Sequence, residues 1–83
     1  MIGLNSETTH DGISYHVQTQ DKGLNVHYIE SLIYKSGKLL SSRRTYYTAF
    51  LNNPYLKEKI AGLIKEQHNT ILKEISEGKF NHF

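Results

Sequence analysis

From Ile13 the chain alternates apolar and polar side chains: Ile13, Tyr15, Val17 and Thr19 interleave with Ser14, His16, Gln18 and Gln20. A period of two is that of a strand with one face buried. Asp21, Lys22 and Gly23 then predict a three-residue turn, with Gly23 in the left-handed position that closes a bulged hairpin. The next run, Leu24 to Lys35, is rich in β-branched and aromatic residues and ends at Ser36-Gly37. That pair predicts a two-residue turn returning the chain into a third run, Lys38 to Thr48. The pattern therefore predicts a three-stranded antiparallel β-meander over residues 12–48. Residues 1–11 are polar and aperiodic (Asn5, Ser6, Glu7, Thr8, Thr9, His10, Asp11) and read as a flexible arm or an edge strand.

A Ser36-Gly37 turn also sets a register. It places Glu30 opposite Arg43, Ile33 opposite Leu40 and Tyr34 opposite Leu39, all attractive pairs, and a slip of one residue would lose them. In that register one face collects Ile13, Tyr15, Val17, Ile29, Ile33 and Leu40. The other collects Val26, Tyr28, Leu32, Tyr34, Leu39 and Tyr47 among Ser14, His16, Gln18, Glu30, Arg43 and Thr45.

After Asn52 the punctuation is helical. Asn53 can cap free backbone N–H groups, Pro54 suits the first helical position, and Gly78 suits a left-handed C-terminal cap, which predicts one long helix over 53–78. Leu56, Ile60, Leu63, Ile64, Ile71, Leu72 and Ile75 spread over about half its circumference, wider than the roughly 100° stripe that one surface needs. Gln67 and His68 fall inside this apolar arc and must find partners, from strand backbone or from a bound protein. The expected architecture is α+β, a meander with the C-terminal helix packed on one sheet face, forming a single domain over 1–83.

Composition narrows the classes. Hydrophobic residues make up 37% and charged residues 22% of 83, which fits a chain that folds in solution and is not a membrane segment. The absence of Cys excludes disulfides and thiolate metal sites. Met1 to Gly12 holds no Lys or Arg and no long apolar run, so no secretory signal is read there and a cytoplasmic location is expected. A net charge of +2 does not by itself call for nucleic acid.

Five His (His10, His16, His27, His68, His82) stand at no metal-ligand spacing, and no metal or cofactor is expected. The one acid inside the predicted sheet, Glu30, is matched to Arg43, and the Gly residues sit at turns. Neither a catalytic pair nor a phosphate loop results, and the chain reads as a non-enzyme.

What remains is the second sheet face, which one helix cannot cover. Apolar and aromatic patches rimmed by polar groups mark interaction sites. The chain is therefore expected to bind another protein, and itself as a homodimer, through the Tyr-rich face or the surplus apolar flank of the helix. The candidate contact residues are His16, Gln18, Tyr28, Tyr34, Arg43, Tyr47, Gln67 and His68. The alternative uses the same face for single-stranded nucleic acid, with Tyr28, Tyr34 and Tyr47 stacking on bases while Arg43, Lys35 and Lys38 follow phosphates. In outline a sheet backed by a helix resembles known single-strand DNA-binding folds.

Two segments carry a further resemblance: Tyr15-His16-Val17-Gln18-Thr19-Gln20-Asp21, and Glu66-Gln67-His68 with Gly78-Lys79-Phe80. Over residues 12–80 the chain resembles a family of small bacterial proteins, mostly without assigned activity, with a His-Val-Gln-Thr-acid-Asp hairpin and a Glu-Gln-His helix. Gln20 departs from that pattern, standing where members often have an acid. In size and pattern the chain is also similar to small adaptors of the RomX kind, which link a response regulator to a polarity GTPase in gliding bacteria. That resemblance implies an adaptor in a bacterial regulatory complex, with His16, Gln18, Gln67 and His68 as contacts.

Overall fold

The computed structural model describes residues 3–82. Met1 and Ile2, the start of the expected arm, and Phe83 lie outside the described residues. The chain forms β1 (Gly3–His10), β2 (Ile13–Asp21), β3 (Tyr28–Lys35), β4 (Lys38–Tyr46), a 3-10 turn (Thr48–Phe50) and α1 (Leu56–Ser76). The sheet is a meander in the order β1-β2-β3-β4, antiparallel throughout, and α1 packs across one face.

The sheet has four strands where the sequence predicts three. Of the two readings of residues 1–11, arm or edge strand, the second holds over Gly3–His10, which pairs with β2 from Gly3↔Gln20 to His10↔Ile13. Its joint is Asp11-Gly12, with φ of 51° and 76°. Positive φ at both central residues defines the turn whose twist matches an antiparallel hairpin, and Asp-Gly is among its preferred sequences. The alternation that reveals a strand is missing because Leu4 is the one apolar residue in β1.

β3 and β4 also depart from the expected course. The turn after β2 is longer than three residues: Asp21 Oδ1 accepts from the Gly23 amide (2.9 Å), and the Gly23 carbonyl accepts from the amides of Val26 and His27. Leu24 to His27 are thus loop, and β3 begins at Tyr28. The Ser36-Gly37 turn is as expected, with φ of 52° and 82°, and Tyr34 pairs with Leu39. A β-bulge follows, so that Ile33 pairs with Ser41 and Glu30 with Arg44. One extra residue, Leu40, is left out of the pairing, and every side chain beyond it changes face relative to the predicted register.

Regular helix starts at Leu56, three residues after the expected Asn53. Asn53 still organises the entry: its Oδ1 accepts from the Tyr55 amide (2.8 Å) and its carbonyl from that of Leu56 (3.1 Å). At the other end Gly78 has φ of 77°, its amide donates to Ile75 O, and Lys79 N donates to Glu74 O. This is the left-handed stop expected of Gly78. It turns the chain so that Phe80 folds back into the core.

The core between α1 and the sheet is divided in two. Tyr15, Val17, Ile33, Ile71, Ile75 and Phe80 form one cluster, with Ile13, Leu40 and Leu72 against it. Ile29, Tyr47, Ile60 and Ile64 form the other, flanked by Phe50, Leu51, Leu56 and Leu63. Each fully buried side chain of this size contributes about 1.5–3 kcal/mol. Polar side chains fill the seam between the clusters. His68 lies between Ser6 Oγ (2.8 Å from Nε2) and Thr19 Oγ1 (2.8 Å from Nδ1), and Thr19 bonds Ser31 (2.6 Å). Gln67 Nε2 donates to Ser31 Oγ (2.8 Å) and to Arg43 O (3.1 Å), while Thr45 Oγ1 donates to Gln67 Oε1. A continuous hydrogen-bonded belt thus joins all four strands to the helix. Among the described residues no buried side-chain nitrogen or oxygen lacks a partner.

Candidate functional site

The face of the sheet away from α1 remains uncovered by the described chain. It is built from the residues of β2 to β4 that alternate with the core positions: His16 and Gln18, then Tyr28, Glu30, Leu32 and Tyr34, then Leu39, Ser42, Arg44 and Tyr46. Two aromatic groups anchor it. Tyr28 and Tyr46 pair directly across β3 and β4 with ring centroids 5.1 Å apart, and the Arg44 guanidinium lies 4.5 Å above the Tyr28 ring. Arg44 Nε also donates to Glu30 Oε2 at 2.9 Å. Towards the Ser36-Gly37 end, His16 and Tyr34 meet edge to face (6.1 Å), and Leu39 stands opposite Tyr34. Tyr46 and Leu39 are each 58% exposed.

This arrangement holds aromatic rings before contact. The guanidinium is fixed on one side by the Tyr28 face and on the other by a carboxylate, which also keeps the Arg44 pKa raised. Side chains held by neighbours in this way have less rotamer freedom to lose than free ones when a surface is laid against them.

Of the residues expected on this face, His16, Gln18, Tyr28 and Tyr34 are there. Arg43 and Tyr47 are not, which corrects the expected face. Arg43 points to the helix side, where its two terminal nitrogens donate to Glu74 at 3.1 and 2.7 Å; this hydrogen bond holds the Glu74 carboxyl below its ordinary range. Tyr47, just beyond β4, is wholly buried, with its hydroxyl donating towards Asp21 Oδ1 (2.7 Å) and Gly23 O (3.0 Å). Burial, then the Asp21 contact, push its phenol up to about 12. The Leu40 bulge is the cause, since it exchanges Arg43 for Arg44 and Tyr47 for Tyr46. Val26 lies in the loop after β2. Thr45, also expected here, joins the belt.

Gln67 and His68 face inward as their place in the apolar arc implies, and their partners are strand hydroxyls and the Arg43 carbonyl. Lys35 donates to Phe80 O (2.9 Å) and so turns to the helix side. Ser42, Arg44 and Tyr46 are the face residues that the sequence pattern misses; only the bulge brings them out, and a leucine pair does not announce a bulge.

A groove of about 460 Å³ runs between β1 and α1, lined by Gly3, Leu4, Ser6, Ala61, Ile64, Lys65, His68 and Asn69. A serine beside an imidazole is the start of a nucleophile and base pair. Here the group behind Nδ1 is the Thr19 hydroxyl, not a carboxylate, and burial, with a smaller effect of His16, lowers the His68 pKa. Both the hydroxyl partner and burial favour the neutral ring, unlike a triad in which a carboxylate stabilises the imidazolium.

Among the described residues no three His, Asp or Glu side chains cluster as a metal site, and no helix is long and apolar enough to cross a membrane. Comparison with family models, with curated proteins and with solved structures gives no match to this chain.

Proposed function

We propose that this protein is a non-enzymatic interaction module, an adaptor that binds another protein through the uncovered sheet face. The observation that carries the reading is the Tyr46–Tyr28–Arg44–Glu30 constellation, an aromatic pair with a clamped guanidinium on a face that the helix leaves open. The resemblance of residues 15–21 and 66–68 to small bacterial proteins points to a regulatory complex as its setting.

Charge favours protein over single-stranded nucleic acid as the partner. A phosphate-tracking surface needs several unengaged cations. Of the cations expected in that role, Arg43 is held by Glu74 and Lys35 by the Phe80 carbonyl, both on the helix side, and Lys38 pairs directly with Lys35 across the hairpin and so shares its side. Arg44 has Glu30 beside it.

The test is affinity purification from the native cell, with Tyr28→Ala and Arg44→Ala as paired variants and Glu58→Lys, on the exposed side of α1, as control. A partner retained by the wild type and the control but lost from both face variants supports the reading. A partner retained by all of them removes it. A labelled oligonucleotide that binds at low salt and is released steeply as salt rises would transfer the face to nucleic acid.

A further inference from the structure

The geometry points to a second surface, distinct from the tyrosine face: the outer edge of β1, which takes the β1 edge of a second copy of this chain in antiparallel register to give a continuous eight-stranded sheet.

The two edges of the sheet are built differently. β4 carries Lys38, Arg43 and Arg44 and is broken by the Leu40 bulge, the devices that stop an edge from pairing. β1 lacks the bulge and the basic residues, and its one formally charged side chain is Glu7. It is eight residues without Pro, Lys, Arg or bulge, in unbroken register with β2. Beside it lies the groove whose β1 wall is Gly3, Leu4 and Ser6, with Leu4 39% exposed.

Hydrogen-bond phase identifies which β1 groups are available. The two-residue Asp11-Gly12 turn makes His10↔Ile13 a bonded pair, and bonded pairs recur at every second residue. The Ser36 amide donates to Ser14 O, so Ser14 directs its backbone at β3 and its neighbours Ile13 and Tyr15 direct theirs at β1. The backbone groups of Leu4, Ser6, Thr8 and His10 are therefore spent on β2. Those of Gly3, Asn5, Glu7 and Thr9 point outward.

A two-fold axis normal to the sheet keeps the two helices on one side and pairs residues of the same face. It must also join outward groups to outward groups. An axis through Ser6 does this, pairing Asn5 with Glu7 of the second copy and Gly3 with Thr9, each pair made twice. An axis through Glu7 would set two carboxylates opposite one another, which is unfavourable. The charge of Glu7 thus disfavours the axis through itself, and an axis through Asn5 would pair only residues 3–7, so the Ser6 axis, which pairs residues 3–9, gives the longest register free of facing carboxylates. Closed two-fold pairing also stops at a dimer, because the β4 edges left outside are the blocked ones. The tyrosine faces of the two copies then form one surface, but the edge contact does not depend on what that surface binds.

The experiment is sedimentation of the full chain over a concentration series at low salt, with amide hydrogen exchange followed in parallel. A weak dimer at micromolar concentration is expected, and exchange at Asn5, Glu7 and Thr9 should slow as concentration rises. Asn5→Glu sets a carboxylate against Glu7 twice and should weaken the dimer by about tenfold or more. Asn5→Glu with Glu7→Lys turns both contacts into opposite charges and should restore it. Both positions are exposed, and thermal melts verify that the variants fold. A chain that is monomeric throughout the series, a dimer indifferent to Asn5→Glu, or a failure of the charge pair to rescue would each overturn the edge contact.

Discussion

His68 Nε2 lies 2.8 Å from the hydroxyl of Ser6, 62 positions earlier in the chain, and so ties the edge strand to the helix. The whole belt has one consistent direction. Gln67 donates to Ser31, and if each hydroxyl passes its own proton on, Ser31 donates to Thr19 and Thr19 to His68 Nδ1. His68 is then the Nε2–H tautomer and donates to Ser6. A second proton on the ring would turn Nδ1 into a donor and reverse the chain at Thr19. Together with burial, this favours neutral imidazole.

The pH dependence follows from that direction. The His68 pKa is lowered in the folded state, so the unfolded chain binds the proton more readily. Its contribution to stability is complete above the ordinary value of 6.5 and is lost as pH falls from there towards the folded value. Denaturant unfolding between about pH 8 and pH 5 should show this fall, and His68→Gln should flatten it. His68→Ala, which leaves Thr19 and Ser6 short of a partner and opens a cavity, should cost about 2–4 kcal/mol.

Tyr47→Phe keeps the packing of the Ile29 cluster but removes the hydroxyl that meets Asp21 and Gly23. A loss of about 1–2 kcal/mol is expected, with faster amide exchange in residues 22–27. The raised phenol pKa also carries a sign: its contribution is intact below the ordinary 10.0 and is lost as pH rises towards about 12. An alkaline absorbance titration should contain a late phenol step that is missing in the variant.

Arg43 and Glu74 form a two-pronged ion pair at the boundary of the helix seat, with the Arg43 side chain 38% and the Glu74 side chain 21% exposed. Solvent screening at that exposure holds the coupling to about 0.5–1 kcal/mol, measurable in a double-mutant cycle with Arg43→Met and Glu74→Gln. The depressed Glu74 carboxyl makes this contribution present above the ordinary 4.5 and lost as pH falls below it.

The two hairpin turns give an opposed pair of changes. Ser36 occupies φ of 52° where Asn is preferred, so Ser36→Asn should stabilise by about 0.5–1 kcal/mol. At Gly12 an added Cβ would meet nothing within 4 Å, so Gly12→Ala isolates the backbone cost of φ +76°. That cost is about 1–2 kcal/mol, read from thermal or denaturant melts.

The strands that alternate, the helix and its stop at Gly78, and the choice of sheet face for the helix were all legible from side-chain period. Tyr15, Val17, Ile29 and Ile33 lie where the period puts them because burial is what creates the period. β1 was legible only as one of two alternatives, arm or edge strand, for the same reason reversed: at the sheet margin, with Leu4 its one apolar residue, it carries no apolar alternation to decide between them. Asp11-Gly12 was the available signal. The bulge defeated the face assignment because Leu39-Leu40 would be acceptable in either register, and the preference for Arg44 opposite Glu30 emerges only when Arg43 can reach Glu74 on the helix. Gln67 and His68 could be recognised as polar groups needing partners, but those partners are small hydroxyls on four separate strands, which no local spacing connects.

The seam of hydrogen bonds between the two apolar clusters settles how the helix docks. Isoleucines tolerate sliding, since one greasy contact substitutes for another at little penalty. A donor that misses its acceptor by one helical turn does not. The imidazole and the amide therefore act as a pair of keys, making a single seating of α1 correct and leaving the aliphatic contacts to tighten it.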